Sequence, residues 1–183
     1  VPAKVALQLH AFKDDPPFDE SFDYRSAVGK LNYLGQTTRP DIMYATHQVA
    51  KYSSDPRQTH GEVILHIVRY LKRTRDLGLK FKPNPDKGFE CYCDADFSGN
   101  WNKEFAQIDP STAKSRSGWI VFYAGCPVCW ASKLQSQVAL STTEAEYIAM
   151  SMALRDVIPV MNLIDEMKNR GFQVICTQPY VYC

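Results

Sequence analysis

Residues 119–149 of the chain read WIVFYAGCPVCWASKLQSQVALSTTEAEYIA, and this stretch decides the fold class. Trp119–Tyr123 is a run of aromatic and β-branched residues, which is typical of a strand, and Val128–Ser132 reads as a shorter strand after a turn. From Thr143 onward the apolar residues recur at helical spacing. Two short strands that lead into a long helix predict an α/β domain.

The sequence on either side extends this pattern. Phe89–Ala95 predicts a strand before the first two, and Tyr180–Cys183 predicts the beginning of a fourth strand that the end of the sequence cuts off. Proline lacks an amide hydrogen, so Pro159 is expected to kink or divide the long helix near Asp156. Gly171 is expected to end that helix.

The N-terminal half has a different, helical pattern. Tyr24–Gly35 carries apolar residues on one stripe, and Pro40 and Pro56 stand at first-turn positions of two further helices. After the last helix, Leu77–Phe81 alternates apolar and polar residues in the manner of a strand. The expected organisation is an irregular tail at 1–23, a helical segment at 24–82 and an α/β domain at 88–183.

Composition indicates a folded protein of intracellular type. Of 183 residues, 45% are hydrophobic and 22% charged, which is the profile of a globular chain. The sequence shows no run approaching about 18 apolar residues and no signal peptide at Val1, so we expect neither a membrane partner nor secretion. Because the first residue is not Met, we expect a fragment of a longer protein.

Positive charge is concentrated in the middle of the chain. From Tyr24 to Lys82 there are 11 Lys and Arg against 4 Asp and Glu, whereas the whole chain has a net charge of only +1. Such a region predicts either a phosphate-binding surface or a solvated helix face that keeps the protein soluble. The candidate nucleic-acid-binding residues are Arg69, Lys72, Arg73, Arg75 and Lys80.

Two acidic clusters are the candidate chemical groups. Asp94 and Asp96 follow at the end of the first predicted strand, and Glu144 and Glu146 stand at the start of the long helix. Carboxylates at a strand tip and a helix start can face one point and hold Mg²⁺. The same acids also suit plain structure, because a glutamate three residues after Ser or Thr forms a capping box. The residues alone leave both readings open.

The cysteines suggest a weaker metal hypothesis. Cys91 and Cys93 precede the first acidic cluster, and Cys126 and Cys129 have the spacing of zinc ligands. One such pair is a weak signal in a chain whose thiols are expected to be reduced. In the predicted sheet a middle strand would separate the two pairs, which disfavours zinc.

Several segments, in order and with matching spacing, resemble the Pol polyproteins of copia-type retrotransposons. Tyr24–Leu34 is similar to the family segment YRSLVGSLMYL, and Thr38–Ile42 has its TRPDI. Further resemblances are IVRYLKRT at 67–74 to ILRYLKGT, DADFSG at 94–99 to DADWAG, KSRSGW at 114–119 to KSTSGY, and ALSTTEAEYIA at 139–149 to ALSSTEAEYIA. Together they run from residue 24 to about residue 150.

The resemblance implies the end of a reverse transcriptase joined to an RNase H domain. The implied fold is an RNase H-like mixed sheet, truncated after the fourth strand and preceded by a small three-helix segment. Asp94 and Glu146 would be the catalytic and metal-binding carboxylates, with Asp96 and Glu144 as possible outer-shell groups. The implied chemistry is two-Mg²⁺ hydrolysis of RNA in RNA–DNA hybrids.

The resemblance also implies partners and a location. The partners would be an RNA–DNA hybrid or other nucleic acid and the remainder of the polyprotein, in a cytoplasmic particle or the nucleus. The family carries a further acidic residue after its fourth strand, where this sequence ends at Tyr182-Cys183. We therefore expect this fragment by itself to be inactive. The alternative is a non-catalytic nucleic-acid-binding or relic module.

Overall fold

The computed structural model describes residues 1–3, 9, 14–104, 106–107, 109–174 and 180–182. The chain divides into two compact units. The first comprises Val1–Leu79 and Asn102–Thr112, and the second comprises Lys80–Trp101 and Ala113–Cys183.

The first unit is helical, as the apolar spacing predicts. Its helices are α1 (Tyr24–Thr37), a 3₁₀ turn (Pro40–Ile42), α2 (Met43–Ala50) and α3 (Gln58–Arg73). Their apolar stripes meet in one core, which includes Val28, Leu31, Ile42, Val49, Ile64 and Ile67. The prediction of three helices is confirmed. Leu77–Phe81, in contrast, forms no strand, because no other strand pairs with it in the described part of the chain.

Arg39 anchors the turn between α1 and α2 to the end of α3. Its Nε and one terminal nitrogen donate to the two carboxylate oxygens of Asp41 at 2.9 and 2.7 Å. The guanidinium also donates to the carbonyl and hydroxyl oxygens of Thr74 at 2.9 and 2.8 Å. The Tyr70 hydroxyl donates to Asp41 at 2.8 Å. The TRPDI segment thus has a structural role, since it ties together residues far apart in sequence.

Electrostatics within this group follow from the same contacts. Burial acts to raise the pKa of the Asp41 carboxyl, but hydrogen bonds from Arg39 and Tyr70 outweigh it and hold that pKa below its ordinary value. The hydrogen bond to Asp41 raises the pKa of Tyr70. Asp41 is therefore a carboxylate in the folded protein at neutral pH.

Residues 14–23 contain no helix, but they are packed against the start of α3. The Asp15 carboxylate accepts from the amide of Thr59 at 2.8 Å, which satisfies one of the unpaired amides of the first helical turn. Phe18 is buried, and its ring lies against the backbone of Gly61. Residues 14–23 of the expected irregular tail are therefore held against α3 by these contacts.

The second unit is built on a four-stranded mixed sheet. The strands are β1 (Phe89–Asp96), β2 (Arg116–Tyr123), β3 (Cys126–Leu134) and β4 (Tyr180–Tyr182), in the order β3-β2-β1-β4. β1–β2 and β2–β3 are antiparallel, whereas β4 is parallel to β1 and, within the described residues, pairs with Glu90–Tyr92. A second 3₁₀ turn spans Pro110–Ala113. The mixed α/β fold class is confirmed.

One face of this sheet is covered by α4 (Thr142–Asn169). Ala145, Ala149, Ala153 and Val157 recur every four residues and are fully buried. The last two share a core with Phe89, Cys91, Cys93, Trp119 and Val121 of β1 and β2. Small side chains every turn let the helix backbone approach the strands closely.

α4 continues through Pro159, so the prediction that the helix divides near Asp156 is wrong. Pro159 has no amide hydrogen to donate to the carbonyl of Arg155, four residues earlier. Both residues are exposed, so water can bond to that carbonyl. The predicted end at Gly171 is confirmed. Gly171 has φ +86°, and the Phe172 amide donates back to the Met167 carbonyl at 3.0 Å, as in a Schellman cap.

By length and composition alone, α4 is apolar enough to cross a membrane. An 18-residue window within it has a mean hydropathy of 1.3, and 17% of that window is buried. The sequence-based exclusion of such a segment was therefore too strict. A single helix that passes this test is weak evidence for a membrane span, because buried core helices and signal sequences pass it as well.

Candidate carboxylate site

Asp94 lies near the end of β1 on the strand face that points away from α4. Cys91 and Cys93 are buried under the helix, so the alternating side chains of Tyr92 and Asp94 project to the other face. Tyr92 there stacks on Tyr182 with ring centroids 4.9 Å apart. Asp94 is exposed. Within the described residues β4 pairs with β1 as far as Tyr92.

Asp96 is turned toward the loop that follows β1. The backbone of Gly99 approaches its carboxylate so closely that a Cβ at position 99 would overlap both oxygens. Ser98 adopts a positive φ of 49° in this turn. The Asp96 carboxylate thus lies against the backbone of Gly99.

Arg116 adds a buried positive group to this end of the sheet. In the backbone register of β1 and β2, Arg116 lies opposite Asp96, and the residue is 7% exposed. One of its terminal nitrogens lies 3.5 Å from the Ser132 hydroxyl of β3. Sequence reasoning missed this residue, because a basic side chain within a polar stretch gives no signal of burial.

The first turn of α4 separates the roles of its two glutamates. Ser141 is the N-cap, and its hydroxyl accepts from the Glu144 amide at 3.1 Å. The Glu144 carboxylate in turn accepts from the Leu140 amide at 2.7 Å. Of the two capping pairs that the sequence allows, Ser141 with Glu144 is the one that forms. Glu146 takes no part in it and is exposed beside buried Ala145.

Gln135 links this turn to the sheet. Its side-chain nitrogen donates to the Ser117 hydroxyl of β2 and to the Ala145 carbonyl of α4, each at 2.9 Å. Ser117 pairs with Ala95 of β1. Glu146 follows Ala145 and Asp94 precedes Ala95, so both carboxylates lie near the end of the sheet that Gln135 links to α4. Sequence reasoning missed Gln135, since only its burial distinguishes it from other glutamines.

The structure places Asp94 and Glu146 at the same end of the sheet, but Asp94 projects from the face opposite α4, the helix that carries Glu146. Among the described residues, no three His, Cys, Asp or Glu side chains form a metal-binding cluster. Mg²⁺ often takes one or two carboxylates and completes its shell with water and substrate phosphate. Asp94 and Glu146 are of the ligand type that suits such an ion.

The cysteines do not assemble into a zinc site in the part of the chain that the structure describes. Cys91 of β1 and Cys129 of β3 both pair with Val121, which lies between them on β2. Among the described residues, Cys91, Cys93, Cys126 and Cys129 form no disulfide. Burial raises the pKa of the Cys129 thiol, which keeps it protonated at neutral pH.

The predicted basic residues are exposed. Arg69, Lys72 and Arg73 lie on the last turns of α3, and Arg75 follows it in the first unit. Lys80 belongs to the second unit. The four residues of the first unit form no salt bridge with any described acidic group. They are available to an anionic partner.

Comparison with known proteins identifies the lineage. The chain is 32% identical over 177 residues to the retrovirus-related Pol polyprotein from transposon RE2 of Arabidopsis thaliana, covering 97% of this chain and 11% of that protein. It is 38% identical over 144 residues to the corresponding polyprotein from transposon TNT 1-94 of Nicotiana tabacum, covering 79% and 10%. It is also 37% identical over 135 residues to secreted RxLR effector protein 161 of Plasmopara viticola, covering 74% and 89%.

Other comparisons add nothing to this. No family model matches the chain, and no solved structure matches it. Two of these three relatives are transposon polyproteins. The chain belongs to the copia-type retrotransposon Pol polyproteins, of which it is a fragment. It spans about a tenth of the length of the RE2 and TNT 1-94 polyproteins.

Proposed function

We propose that the chain covers the junction where reverse transcriptase ends and an RNase H-like domain begins. In this proposal, Asp94 and Glu146 bind a divalent cation used to hydrolyse RNA in RNA–DNA hybrids. The observation that carries the proposal is the Gln135 link, which holds the residue before Glu146 beside the strand pair that contains Asp94. Similarity to Pol polyproteins over nearly the whole chain supports the same assignment.

The two carboxylates have complementary positions in this proposal. Asp94 is exposed near the end of β1, and Glu146 is exposed on a capped helix turn, and among the described residues neither forms a hydrogen bond that it would have to give up to bind an ion. A bound Mg²⁺ would supply Lewis-acid activation of water and of the scissile phosphate. Asp96 and Glu144 would support the site only indirectly, because Asp96 lies against the Gly99 backbone and Glu144 is engaged in the helix cap.

Binding of Mn²⁺, followed by the paramagnetic signal of the free ion, tests the site on the 183-residue chain. Asp94→Asn and Glu146→Gln should each raise the Mn²⁺ dissociation constant about 10-fold or more, because each removes a charged ligand. If one ion binds both carboxylates, the double variant should raise the Mn²⁺ dissociation constant by less than the product of the two single increases. Asp86→Asn, a change at an exposed acid in a turn of the same unit, is the matched control.

The hydrolytic part requires a second assay. A labelled RNA–DNA hybrid should be cleaved with Mg²⁺ by the chain extended with the residues that follow it in its parent gene, and not by the 183-residue chain alone. Asp94→Asn should lower the extended chain's rate by about 100-fold or more. Equal rates for Asp94→Asn and its parent would reject Asp94 as a metal ligand.

A non-catalytic role in nucleic-acid binding is the second candidate, because the basic residues at the end of α3 are exposed and without acidic partners among the described groups. We propose that they contact phosphates. Replacing Arg69, Lys72 and Arg73 by Gln should reduce the salt dependence of hybrid affinity by about 0.9 in log–log slope per lost phosphate contact.

The matched control for this measurement removes the same charge elsewhere. Lys30, Lys103 and Lys168 are exposed and scattered over the chain, so replacing all three by Gln leaves the α3 cluster intact. Fluorescence anisotropy of a labelled hybrid across a salt series gives both slopes. If the salt dependence of hybrid affinity has the same slope for both triple variants, the basic residues at the end of α3 do not contact phosphates.

A further inference from the structure

Gln135 is a buried polar residue at the junction of three elements. It follows β3 directly, is 1% exposed, and its backbone amide donates to the Ser115 carbonyl at 2.9 Å. Its side-chain amide donates one hydrogen to Ser117 and the other to the Ala145 carbonyl. A carbonyl oxygen only accepts hydrogen bonds, so this partner fixes which end of the amide is the nitrogen.

The other end of the same amide is unsatisfied. The Gln135 side-chain oxygen is buried and has no hydrogen-bond partner in the described part of the chain. A buried acceptor without a partner is destabilising. An apolar side chain of similar length would remove that defect, so packing alone does not account for glutamine here. What glutamine supplies is the pair of donors that joins β2 to α4.

α4 has a second anchor on the same strand, which provides an internal comparison. The Trp119 indole nitrogen donates to the Asp156 carboxylate at 2.8 Å. Asp156 lies eleven residues after Ala145, or about 16 Å along the helix axis. Trp119 therefore holds the middle of α4, and Gln135 holds its first turn, where the residue that follows Ala145 is Glu146.

We propose that Gln135 is a positioning residue for the divalent-cation site, in which it fixes the height and rotation of the first turn of α4 and thereby the place of the Glu146 carboxylate at the end of the sheet where Asp94 lies. This inference rests on the proposed function, since it assigns Gln135 to the same carboxylate site. It predicts that loss of the Gln135 donors changes ion affinity more than an equal loss of helix anchoring elsewhere.

The test compares Gln135→Met with Trp119→Phe in the 183-residue chain. Met keeps the length of the side chain and removes both donors, whereas Phe removes only the indole donor. Gln135→Met should raise the Mn²⁺ dissociation constant about 10-fold, the lower end for an outer partner of a metal ligand. Trp119→Phe should change it by less than about twofold, since its contact is distant from Glu146.

Backbone amide exchange gives a readout that does not depend on the ion. Gln135→Met should speed exchange in the first turn of α4, at residues 145–149, and Trp119→Phe should speed it around residue 156. Ser117→Ala, which removes one acceptor and leaves the bond to Ala145, should give a smaller Mn²⁺ effect than Gln135→Met. This variant keeps the test decisive if Gln135→Met does not fold.

The outcomes separate the two proposals. If Asp94→Asn and Glu146→Gln weaken Mn²⁺ binding and the Gln135 and Ser117 variants do not, Gln135 is structural only and the carboxylate site stands. Equal weakening by Gln135→Met and Trp119→Phe would likewise assign Gln135 to general stability. If neither carboxylate variant changes Mn²⁺ binding, the proposed site itself fails, and the role of Gln135 fails with it.

Discussion

Arg39→Ala should lower the free energy of unfolding of the first unit by about 3 kcal/mol, the lower end of the cost of breaking a buried charge pair. The Arg39 side chain is 7% exposed and donates four hydrogen bonds, whereas its partner Asp41 keeps 30% exposure and can be partly rehydrated. Removing the guanidinium leaves Asp41 without its countercharge and the Thr74 carbonyl without a donor. Arg39→Lys should have a free energy of unfolding between those of the parent chain and Arg39→Ala, because an ammonium group cannot form the bidentate contact with the carboxylate.

Urea unfolding followed by far-UV circular dichroism measures this change. The three tryptophans, at 101, 119 and 130, all belong to the second unit, so their fluorescence provides a separate record of that unit. Arg170→Ala is the control, because its ion pair with Glu166 is exposed on both sides and should contribute less than about 0.5 kcal/mol. A loss for Arg39→Ala no larger than that of Arg170→Ala would contradict the assigned role of the network.

Gly61→Ala should destabilise the first unit by about 1–3 kcal/mol, the usual cost of overpacking a core. Alanine is favoured over glycine within a helix by up to about 1 kcal/mol, so the two effects oppose each other. The steric term dominates, because a Cβ at position 61 would lie 2.5 and 2.7 Å from two ring carbons of Phe18. That ring cannot withdraw freely, since it packs edge-on against Phe22 and Tyr24.

Gly29→Ala in α1 is the matched control for this substitution. A Cβ at position 29 meets no atom within 4 Å, so only the helical preference for alanine acts and the variant should be more stable than the parent. In a Phe18→Leu background the penalty of Gly61→Ala should shrink, because the smaller side chain leaves room. Stabilisation by Gly61→Ala in the parent chain would show that residues 14–23 do not pack on α3 as described.

The sequence predicted the helices and strands whose signals are local. Pro40 begins the first 3₁₀ turn, Pro56 lies two residues before α3, and Trp119–Tyr123 lies within β2. The Arg39 group could not be predicted, because Thr74 is 35 residues away and only the tertiary fold brings it near. The continuity of α4 at Pro159 depends on solvent exposure, which the sequence does not encode locally.

The candidate site was predictable in composition but not in arrangement. The acidic clusters and their placement on a strand end and a helix start follow from the sequence. Which glutamate caps the helix required the observed bond between Leu140 and Glu144, which leaves Glu146 free of that role. Whether Asp94 and Glu146 share an ion remains a prediction, as does the RNase H-like assignment of the sheet.

The course of the chain between β1 and β2 affects any attempt to dissect the protein. Asn102–Thr112 belongs to the first unit, although the strands before and after it belong to the second. Asp109 in this segment lies 3.5 Å from the Tyr52 hydroxyl. A truncation that starts at residue 80 would keep the segment and delete the helices it rests on. Shortening 102–112 to a tight turn is therefore the sounder route to an autonomous sheet domain.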